Sequence, residues 1–381
     1  MTSDISADLR DWLALSFVAG VGRRTAAVMI DRFSSPTAIL DASPSRLEAA
    51  GLKAECVQSL KDPQYRDRGD RELEKIRSMG VELVVLSDPR YPALLKEIYD
   101  PPILLYVKGD IERAFRQPAV AVVGSRQCST YGKNAAEMLG RDLASNGVTV
   151  ISGLARGIDG AAHRGAIDAG GVTVGVMGTG MDLIYPKEHQ GLADEILDRG
   201  ALITEFPLGA PPLSQNFPFR NRVISGLCLG VIVVEGAERS GSLITARMAY
   251  EQGREVFAVP GNITSSKSFG PNYLIKDGAK LVQTWQDVVE EFPTEHKARI
   301  LAVGRSEKLA EQSEQPVMDE LVLSENERLV LSMIKLDEAI QIDNLIYATK
   351  LASPEIMSAL LKLEMLDRIR QLPGKSFVRK L

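Results

Sequence analysis

Between residues 118 and 260 the chain alternates short apolar runs, rich in β-branched side chains, with longer stretches of helical periodicity. Apolar strands separated by helices are typical of a parallel sheet with both faces buried. The sequence therefore predicts an α/β fold with an extended Rossmann-like parallel sheet as its core. The predicted strands are 119–123, 148–152, 172–177, 201–204, 231–235 and 255–259, with helices between most of them, for example at 133–145 and 160–169.

The segment that precedes this core shows short helical patterns over residues 8–60, and the turn Gly20-Val21-Gly22 joins two of them. A helix, a glycine turn and a second helix form the outline of a helix-hairpin-helix unit. Such a turn presents backbone N–H groups at a helix start, where a phosphate could bind beside Arg23 and Arg24. A tight turn in a small helical bundle explains the glycines equally well. The sequence leaves both interpretations open.

The segment that follows the core contains few apolar side chains over residues 297–318, a composition that favours a flexible linker. Three short helical patterns and a small hairpin come after it, which is the outline of a winged helix. The predicted domains are a helical domain at 1–75, the Rossmann-like core at 76–296, a linker at 297–319 and a winged-helix domain at 320–381. Two strand candidates, 81–86 and 103–107, lie at the start of the core.

Composition limits the kinds of ligand that this chain can bind. Its 381 residues carry a net charge of −5, so a polyanion would have to find a local cluster of cations rather than a basic surface. Cys56, Cys128 and Cys228 form no paired motif, which excludes a disulfide framework or a cysteine-based zinc site and fits a reducing cytosol. We see no signal peptide and no membrane span, and we expect a cytoplasmic protein without cofactor or metal.

Small and hydroxyl-bearing residues follow several of the predicted strands. In an open parallel sheet the ligand lies beyond the carboxyl ends of the strands, and small residues there let it approach backbone N–H groups. The sequence therefore predicts a phosphate-binding edge. Neither the dinucleotide pattern G-x-G-x-x-G after the first strand nor a P-loop occurs, so NAD, FAD and ATP hydrolysis lose their main support. The candidate residues are Gly124, Ser125, Arg126, Gly153, Lys187, Ser240, Gly241 and Ser242.

An aromatic and basic cluster stands at residues 217–222, with the sequence Phe-Pro-Phe-Arg-Asn-Arg. Arginine neutralises phosphates and aromatic rings stack on unpaired bases, so the cluster indicates binding of single-stranded nucleic acid. We expect one positive pocket with Phe217 or Phe219 as its stacking surface. Ion pairing of the arginines with Glu235 or Asp182 is the alternative. The predicted members of the pocket are Arg126, Lys187, Phe217, Arg220, Asn221 and Arg222.

Long motifs in the core resemble those of the DNA processing protein A (DprA/Smf) family. They are AVVGSR (121–126), SGLARGIDGAAH (152–163), YPKE (185–188), FPFRNRVISGL (217–227), SGSLITA (240–246), VPGN (259–262) and LIKDGAKLV (274–282). The resemblance is strong over residues 90–290. The ending at 359–381 resembles the family's winged-helix domain, and the amino-terminal helices are a weaker match to its helix-hairpin-helix or SAM-like domain.

The resemblance implies a non-catalytic protein that binds and protects incoming single-stranded DNA. It also implies homodimerisation through the Rossmann-like domain and loading of the RecA recombinase during natural transformation. Carried over by motif, Arg126 and Lys187 would hold DNA phosphates. Arg220 and Arg222 would line the same pocket, with Phe217 or Phe219 against a base.

Two other classes of function are weighed against this one. Asp159 and His163 share a helix face, but a histidine that anchors its helix explains them better than a catalytic dyad. A nucleotide-processing, phosphoribohydrolase-like enzyme would need a Pro-Gly-Gly-x-Gly-Thr segment near 239–242, where Arg-Ser-Gly-Ser stands. A winged-helix transcription regulator would need basic residues on its recognition helix, yet 354–363 offers only Lys362.

Overall fold

The computed structural model describes residues 2–297, 300, 323–335, 339–366, 368–372 and 374–379. The amino-terminal part is helical, as predicted. Its apolar face packs Trp12, Leu13 and Met29 into the same hydrophobic cluster as one face of the central sheet. The helices are α1 (Thr2–Phe17), α2 (Arg23–Phe33), α3 (Pro36–Asp41), α4 (Pro44–Ala49), α5 (Ala54–Leu60) and α6 (Gln64–Ser78). Helix α6 continues past residue 75, so the predicted boundary at that position divides a helix.

The core of the described chain is a nine-stranded sheet in which all six predicted strands are present. Its order is β1-β2-β6-β5-β4-β3-β7-β8-β9. In this order, the seven neighbouring strands that begin with β6 and end with β9 pair in parallel. The strands β1 and β2 add an antiparallel edge. The strands are β1 (Glu82–Val85), β2 (Leu104–Gly109), β3 (Ala119–Val123), β4 (Thr149–Ser152), β5 (Thr173–Val176), β6 (Ala201–Thr204), β7 (Gly230–Val233), β8 (Glu255–Ala258) and β9 (Lys280–Leu281).

Helices cover both faces of this sheet. Alternate residues of β3 show the two layers, because Ala121 belongs to one hydrophobic cluster and Val120 and Val122 belong to the other. This burial explains why the strands read as continuous apolar runs. The helices are α7 (Ala93–Lys96), α8 (Ile111–Ala114), α9 (Thr130–Ser145), α10 (Ile158–Asp168), α11 (Gln190–Arg199), α12 (Asn216–Gly226), α13 (Gly241–Glu251), α14 (Phe269–Lys276) and α15 (Trp285–Val289).

The order of the strands fixes where a ligand can lie. The chain runs from β3 outward to β6 on one side and then returns to β7 on the other side of β3. Loops that leave β3 and β7 therefore diverge, and they leave a crevice at the carboxyl ends of these two neighbours. Open α/β sheets bind ligands at such a switch point.

The carboxyl-terminal part is a winged helix, which confirms that prediction. Its elements are α16 (Glu325–Met333), β10 (Ile340–Gln341), α17 (Ile342–Thr349), α18 (Ser353–Met365), β11 (Ile369–Leu372) and β12 (Ser376–Arg379). The three strands form a small antiparallel sheet in the order β10-β12-β11. Most of the predicted linker at 297–319 lies outside the described residues. None of the helices in the described segments is long and apolar enough to cross a membrane.

Candidate nucleic-acid interface

A cleft of about 490 Å³ opens where β3 and β7 end. Its size is that of a site for a small molecule or for one or two nucleotides of a longer ligand. Nine of the twelve predicted site residues line it, drawn from the loop after β3, from the helix α12 and from the start of α13. They are Gly124, Ser125, Arg126, Phe217, Arg220, Asn221, Ser240, Gly241 and Ser242.

Arg126 and Phe217 form the open wall of the cleft. The guanidinium carbon of Arg126 stands 4.8 Å from the centre of the Phe217 ring. Arg126 is exposed, and no carboxylate among the described side chains forms an ion pair with it. Phe217 is half-buried, with the Tyr185 ring 5.9 Å away. A cation without an ion-pair partner among the described residues and a half-buried ring therefore lie side by side, an arrangement typical of sites that bind single strands.

Arg220 lies at the floor of the cleft and ties loops together. Its side chain is buried, and its guanidinium donates to the carbonyl oxygens of Gly153 and Val176 at the ends of β4 and β5. Burial lowers the pKa of Arg220 to about 10, so the group stays charged at neutral pH. The carboxylate of Asp159 acts against this shift. Arg220 thus shapes the site, and the Asp159 carboxylate compensates part of its charge inside the protein.

Gly153, at the end of β4, is required by this packing. A Cβ at that position would lie 2.5 Å from Arg220 Nη1, which is closer than any real contact. Gly153 does not line the main cleft but a smaller pocket beside it, together with Arg126, Arg156, Tyr185, Pro186 and Phe217. The guanidinium of Arg156 there is paired with Glu188. The small pocket extends the cleft toward the YPKE motif.

Asp159 is an acidic member of the cleft that the pocket prediction did not include. Its buried carboxylate accepts the N–H groups of Gly153 at 3.1 Å and Ala155 at 3.4 Å. Burial raises the pKa of Asp159. A sequence signal for this role exists, since an aspartate in the first turn of α10 is placed to bind free N–H groups. Gln127 and Thr245, which also line the cleft, carry no comparable signal.

The start of α13 forms the wall opposite Arg126. The Ser240 hydroxyl oxygen accepts the N–H of Ser242 at 3.3 Å and caps the helix. The amino terminus of a helix carries partial positive charge and attracts anions. Since Gly241 and Ser242 line the cleft, this terminus faces it. The wall adds a favourable field for phosphate without a further basic side chain.

Two positions are corrected by the structure. Arg222 does not line the cleft: its side chain is buried and forms ion pairs with Glu205 and Asp100. The reason is helical geometry, because residues two apart on α12 point to different sides. Lys187 is exposed and begins a short 3-10 helix, but it is not a wall residue of the cleft. It follows Pro186 at the rim of the small pocket.

The alternative prediction, in which the arginines pair with Glu235 or Asp182, names the wrong carboxylates. Ion pairing of an arginine in this cluster does occur, between Arg222 and Glu205. Glu235 accepts the N–H of Ser129 at 2.8 Å and the Ser129 hydroxyl, and so holds the start of α9. Asp182 accepts the N–H of Gly209 at 2.8 Å. The internal carboxylates beside the arginines are instead Asp159 for Arg220 and Glu205 for Arg222.

His163 is an anchor, as expected from its place on α10. Its Nδ1 lies 2.7 Å from Thr173 Oγ1, and the ring is fully buried. Burial lowers the pKa of His163 to about 3, so the ring is neutral. Asp159 bonds to backbone N–H groups, and the described hydrogen bonds include none between these two side chains. A catalytic dyad therefore does not form here.

An open doubly wound sheet with its cleft at the switch point, between a helical domain and a winged helix, defines a modular Rossmann-like α/β protein. The family model for the DNA recombination-mediator protein A matches residues 82–293, and that for the DprA winged helix domain matches residues 314–375. The chain belongs to the DNA recombination-mediator protein A family, so the resemblance found in the motifs is confirmed.

Individual relatives agree with this assignment. The chain is 42% identical to the DNA processing protein DprA of Bacillus subtilis over 248 residues, which cover 65% of this chain and 82% of that protein. It is 49% identical to the protein Smf of Escherichia coli over 211 residues, 55% of this chain and 56% of that protein.

Two solved structures share the fold. DNA processing protein A from Streptococcus pneumoniae superimposes with a TM-score of 0.62 at 37% identity, over 74% of this chain and 96% of that chain. The protein from Helicobacter pylori gives a TM-score of 0.51 at 26% identity, over 59% of this chain and 96% of that chain, and is described in terms of its single-stranded-DNA binding mode.

Proposed function

We propose that the core binds single-stranded DNA without sequence preference, in the cleft between the ends of β3 and β7. One observation carries this proposal: the exposed guanidinium of Arg126, which forms no ion pair with a described carboxylate, stands 4.8 Å from the half-buried ring of Phe217. A phosphate binds to the cation while a neighbouring base stacks on the ring, and neither contact reads the base edge. The single-stranded-DNA binding of the Helicobacter pylori relative supports the same function.

We propose that the protein binds DNA without transforming it chemically. A general acid or base needs a side chain with a free proton-transfer position in the cleft. The guanidinium of Arg220 is a poor proton acceptor at a pKa of about 10, and Asp159 is held in place by two backbone N–H groups that both donate to its Oδ2. Within the described residues no three His, Cys, Asp or Glu side chains cluster as metal ligands would. These observations support binding over catalysis.

We propose that the winged helix does not recognise the base sequence of duplex DNA. The basic side chain on its α18 helix, Lys362, is engaged in an ion pair with Glu327 at 2.9 Å. The exposed face of α18 instead presents Met357, Leu361 and Met365. A recognition helix needs polar and basic side chains for base edges, so this face supports a role other than transcriptional regulation.

We propose that the bound strand is passed to the RecA recombinase during natural transformation, and that the protein protects incoming single strands until then. The family description, a mediator of recombination, supports this role. A mediator must hold a strand firmly yet release it, and a cleft that relies on few cations and on stacking meets both demands because each contact is individually modest.

We also propose that two copies associate through the β9 edge of the Rossmann-like core. Three apolar side chains are exposed there: Ile263 at 91%, Phe269 at 46% and Tyr273 at 52%. The Phe269 and Tyr273 rings stack at 6.3 Å, and Asn272 bonds to Gly261, so the loop that carries Ile263 is held against α14. We name these three side chains the edge patch. Contiguous exposed apolar surface marks an association site.

Titration of the full chain with fluorescent single- and double-stranded oligonucleotides tests the main proposal. We expect tight single-strand binding and a logarithmic affinity that falls with the logarithm of salt concentration at a slope near −2, as for about three phosphates at roughly −0.7 each. The physical reason is release of counterions from the neutralised phosphates. Equal affinity for duplex, or an affinity independent of salt, would count against the cleft.

Sedimentation velocity tests the association. The wild-type protein should sediment as a dimer, and Tyr273→Glu should shift it to monomer because a buried carboxylate at the edge patch is costly. Tyr347→Glu, at a ring of the winged helix that is more exposed than Tyr273, is the control. A Tyr273→Glu protein that stays dimeric shows that the contact lies elsewhere.

A further inference from the structure

The amino-terminal helical domain touches the core beside the cleft, at the first turns of α12. The Arg23 guanidinium stands 4.5 Å from the centre of the Phe219 ring, and its Nε donates to Glu205 at 2.7 Å. Phe219 is 47% exposed. It follows Phe217, the ring inside the cleft, by two residues, so it faces away from the cleft on the same short helical turn. Arg23 and Phe219 therefore form a second cation–aromatic pair, on the side of α12 that faces away from the pair of Arg126 and Phe217 in the cleft.

A third pair adjoins the second. The guanidinium of Arg24 stands 3.7 Å from the centre of the Tyr99 ring, which is 69% exposed. Tyr99 is held near α12, because Arg222 donates to the backbone oxygen of its neighbour Asp100 at 2.7 Å. Arg23 and Arg24 are consecutive at the start of α2. The two pairs are thus neighbours, and each ring leaves surface open to solvent.

The junction that holds these pairs in place is buried and charged. One oxygen of Glu205 accepts both Arg23 and Arg222, and the Glu205 side chain is 5% exposed. Arg222 from the core and Arg23 from the amino-terminal domain therefore meet at one buried carboxylate, which joins the two domains here. This explains why Arg222 belongs to a nucleic-acid motif without entering the cleft: it positions the surface next to it.

The arginine that remains available is Arg24. It is exposed, and no ion pair joins it to a described carboxylate. Arg23 and Arg24 begin α2 directly after Gly22, which offers no side-chain cap to the first N–H groups. Gly20 adopts φ +81°, a conformation that suits glycine and turns the chain into the helix. The surface therefore combines accessible rings, one free guanidinium and an uncapped helix start.

We propose that Phe219, Arg23, Arg24 and Tyr99, here named the junction strip, form a second binding site for single-stranded nucleic acid that continues the path out of the cleft. The inference rests on the proposed function of the cleft and adds the amino-terminal domain to the interface. Unpaired bases stack on the free surface of the rings, and the Arg24 guanidinium binds a phosphate. Arg23, which is paired with Glu205, supports the Phe219 ring. Duplex does not fit, since its bases are not available for stacking.

Strand length separates the two sites in an experiment. The full-length double variant Arg24→Ala/Tyr99→Ala is titrated with oligothymidylates of about 5 and about 25 nucleotides, the shorter matching one compact site. We expect affinity for the long strand to fall about tenfold, as for the loss of one stacked base, with a salt slope shallower by about 0.7. Affinity for the short strand should change less than twofold, because the cleft alone holds it.

Arg46→Ala is the matched control. Arg46 lies 4.9 Å from the centre of the Phe33 ring in the same domain, but that ring is buried and cannot accept a base. This variant should bind both strands as the wild type does. Arg24→Ala/Tyr99→Phe keeps a ring and should recover part of the loss, which distinguishes stacking from a defect in folding.

The outcomes are distinct. Unchanged affinity of the double variant for the long strand, or equal losses for both strands, overturns the junction strip. A wild-type protein that fails to bind the short strand but binds the long one overturns the cleft instead, and a loss in the double variant then still supports the strip. Recovery in the ring-retaining variant confirms that Tyr99 acts through its ring.

Discussion

Phe217→Ala should weaken binding of single-stranded DNA by about 1–3 kcal/mol, with a similar loss for every base composition. The ring is the stacking surface of the cleft, and Arg126 stands over it at 4.8 Å. Its removal takes away the stacking partner of a base and the ring against which Arg126 rests. Fluorescence anisotropy with oligothymidylate and oligoadenylate, at one salt concentration, measures the loss.

Tyr250→Ala serves as the control for this change. Tyr250 is 79% exposed and lies on α13, whose other end forms a wall of the cleft. Loss of an exposed ring there should leave affinity unchanged. Phe217→Leu keeps apolar volume but not the ring, so it should bind nearly as weakly as the alanine variant. If Phe217→Leu binds like the wild type, the side chain supports the fold of the loop and does not stack.

Arg126→Ala should weaken binding of single-stranded DNA by about 1.5–3 kcal/mol, the worth of a hydrogen bond to a charged group. The side chain forms no ion pair with a described carboxylate, and buried Asp159, which its charge helps to stabilise, keeps Arg220 beside it, so stability should change little. The salt slope should become shallower by about 0.7, since one phosphate contact is lost. Anisotropy titrations at several salt concentrations, with thermal melts beside them, measure both quantities.

Arg247→Ala is the counterpart for Arg126. Arg247 is 80% exposed on α13 and is paired with Glu251, so its loss removes the same formal charge at a distance from the cleft. Arg247→Ala should leave the salt slope unchanged. Arg126→Lys keeps the positive charge but loses the planar guanidinium that can donate two parallel hydrogen bonds. Its salt slope should therefore be closer to that of the wild type than its affinity is. An unchanged slope in Arg126→Ala would show that this guanidinium does not contact phosphate.

Coupling between the two residues provides a further check on the geometry. The double variant Phe217→Ala/Arg126→Ala should lose less binding free energy than the sum of the losses in the two single variants. The reason is that Arg126 rests on the ring that the first change removes. Strict additivity would mean that the two side chains bind different parts of the strand independently.

The sheet could be predicted because its strands are buried on both faces. Residues such as Val120, Ala121 and Val122 are all inside, so the strand reads as an uninterrupted apolar run. The antiparallel direction of β1 and β2 was not predicted, since β2 pairs with β6, which lies far along the chain, and β1 pairs with β2. Helix α6 likewise passes the predicted boundary at 75, because a helical pattern does not show where a domain ends.

The sequence by itself determined which loops meet, because strands of a parallel sheet end on one edge, and so it placed Gly124 to Arg126 beside Ser240 to Ser242. Only the tertiary structure decided which partner each arginine has and whether its side chain is buried. Arg126 is exposed and pairs with no carboxylate in the described part of the chain, Arg220 is buried beside Asp159, and Arg222 is paired with Glu205. Arg23 meets Glu205 across 182 positions of sequence. Local periodicity fixes the face of a helix or strand, but the partner of a charge depends on contacts between distant segments, which no local pattern encodes.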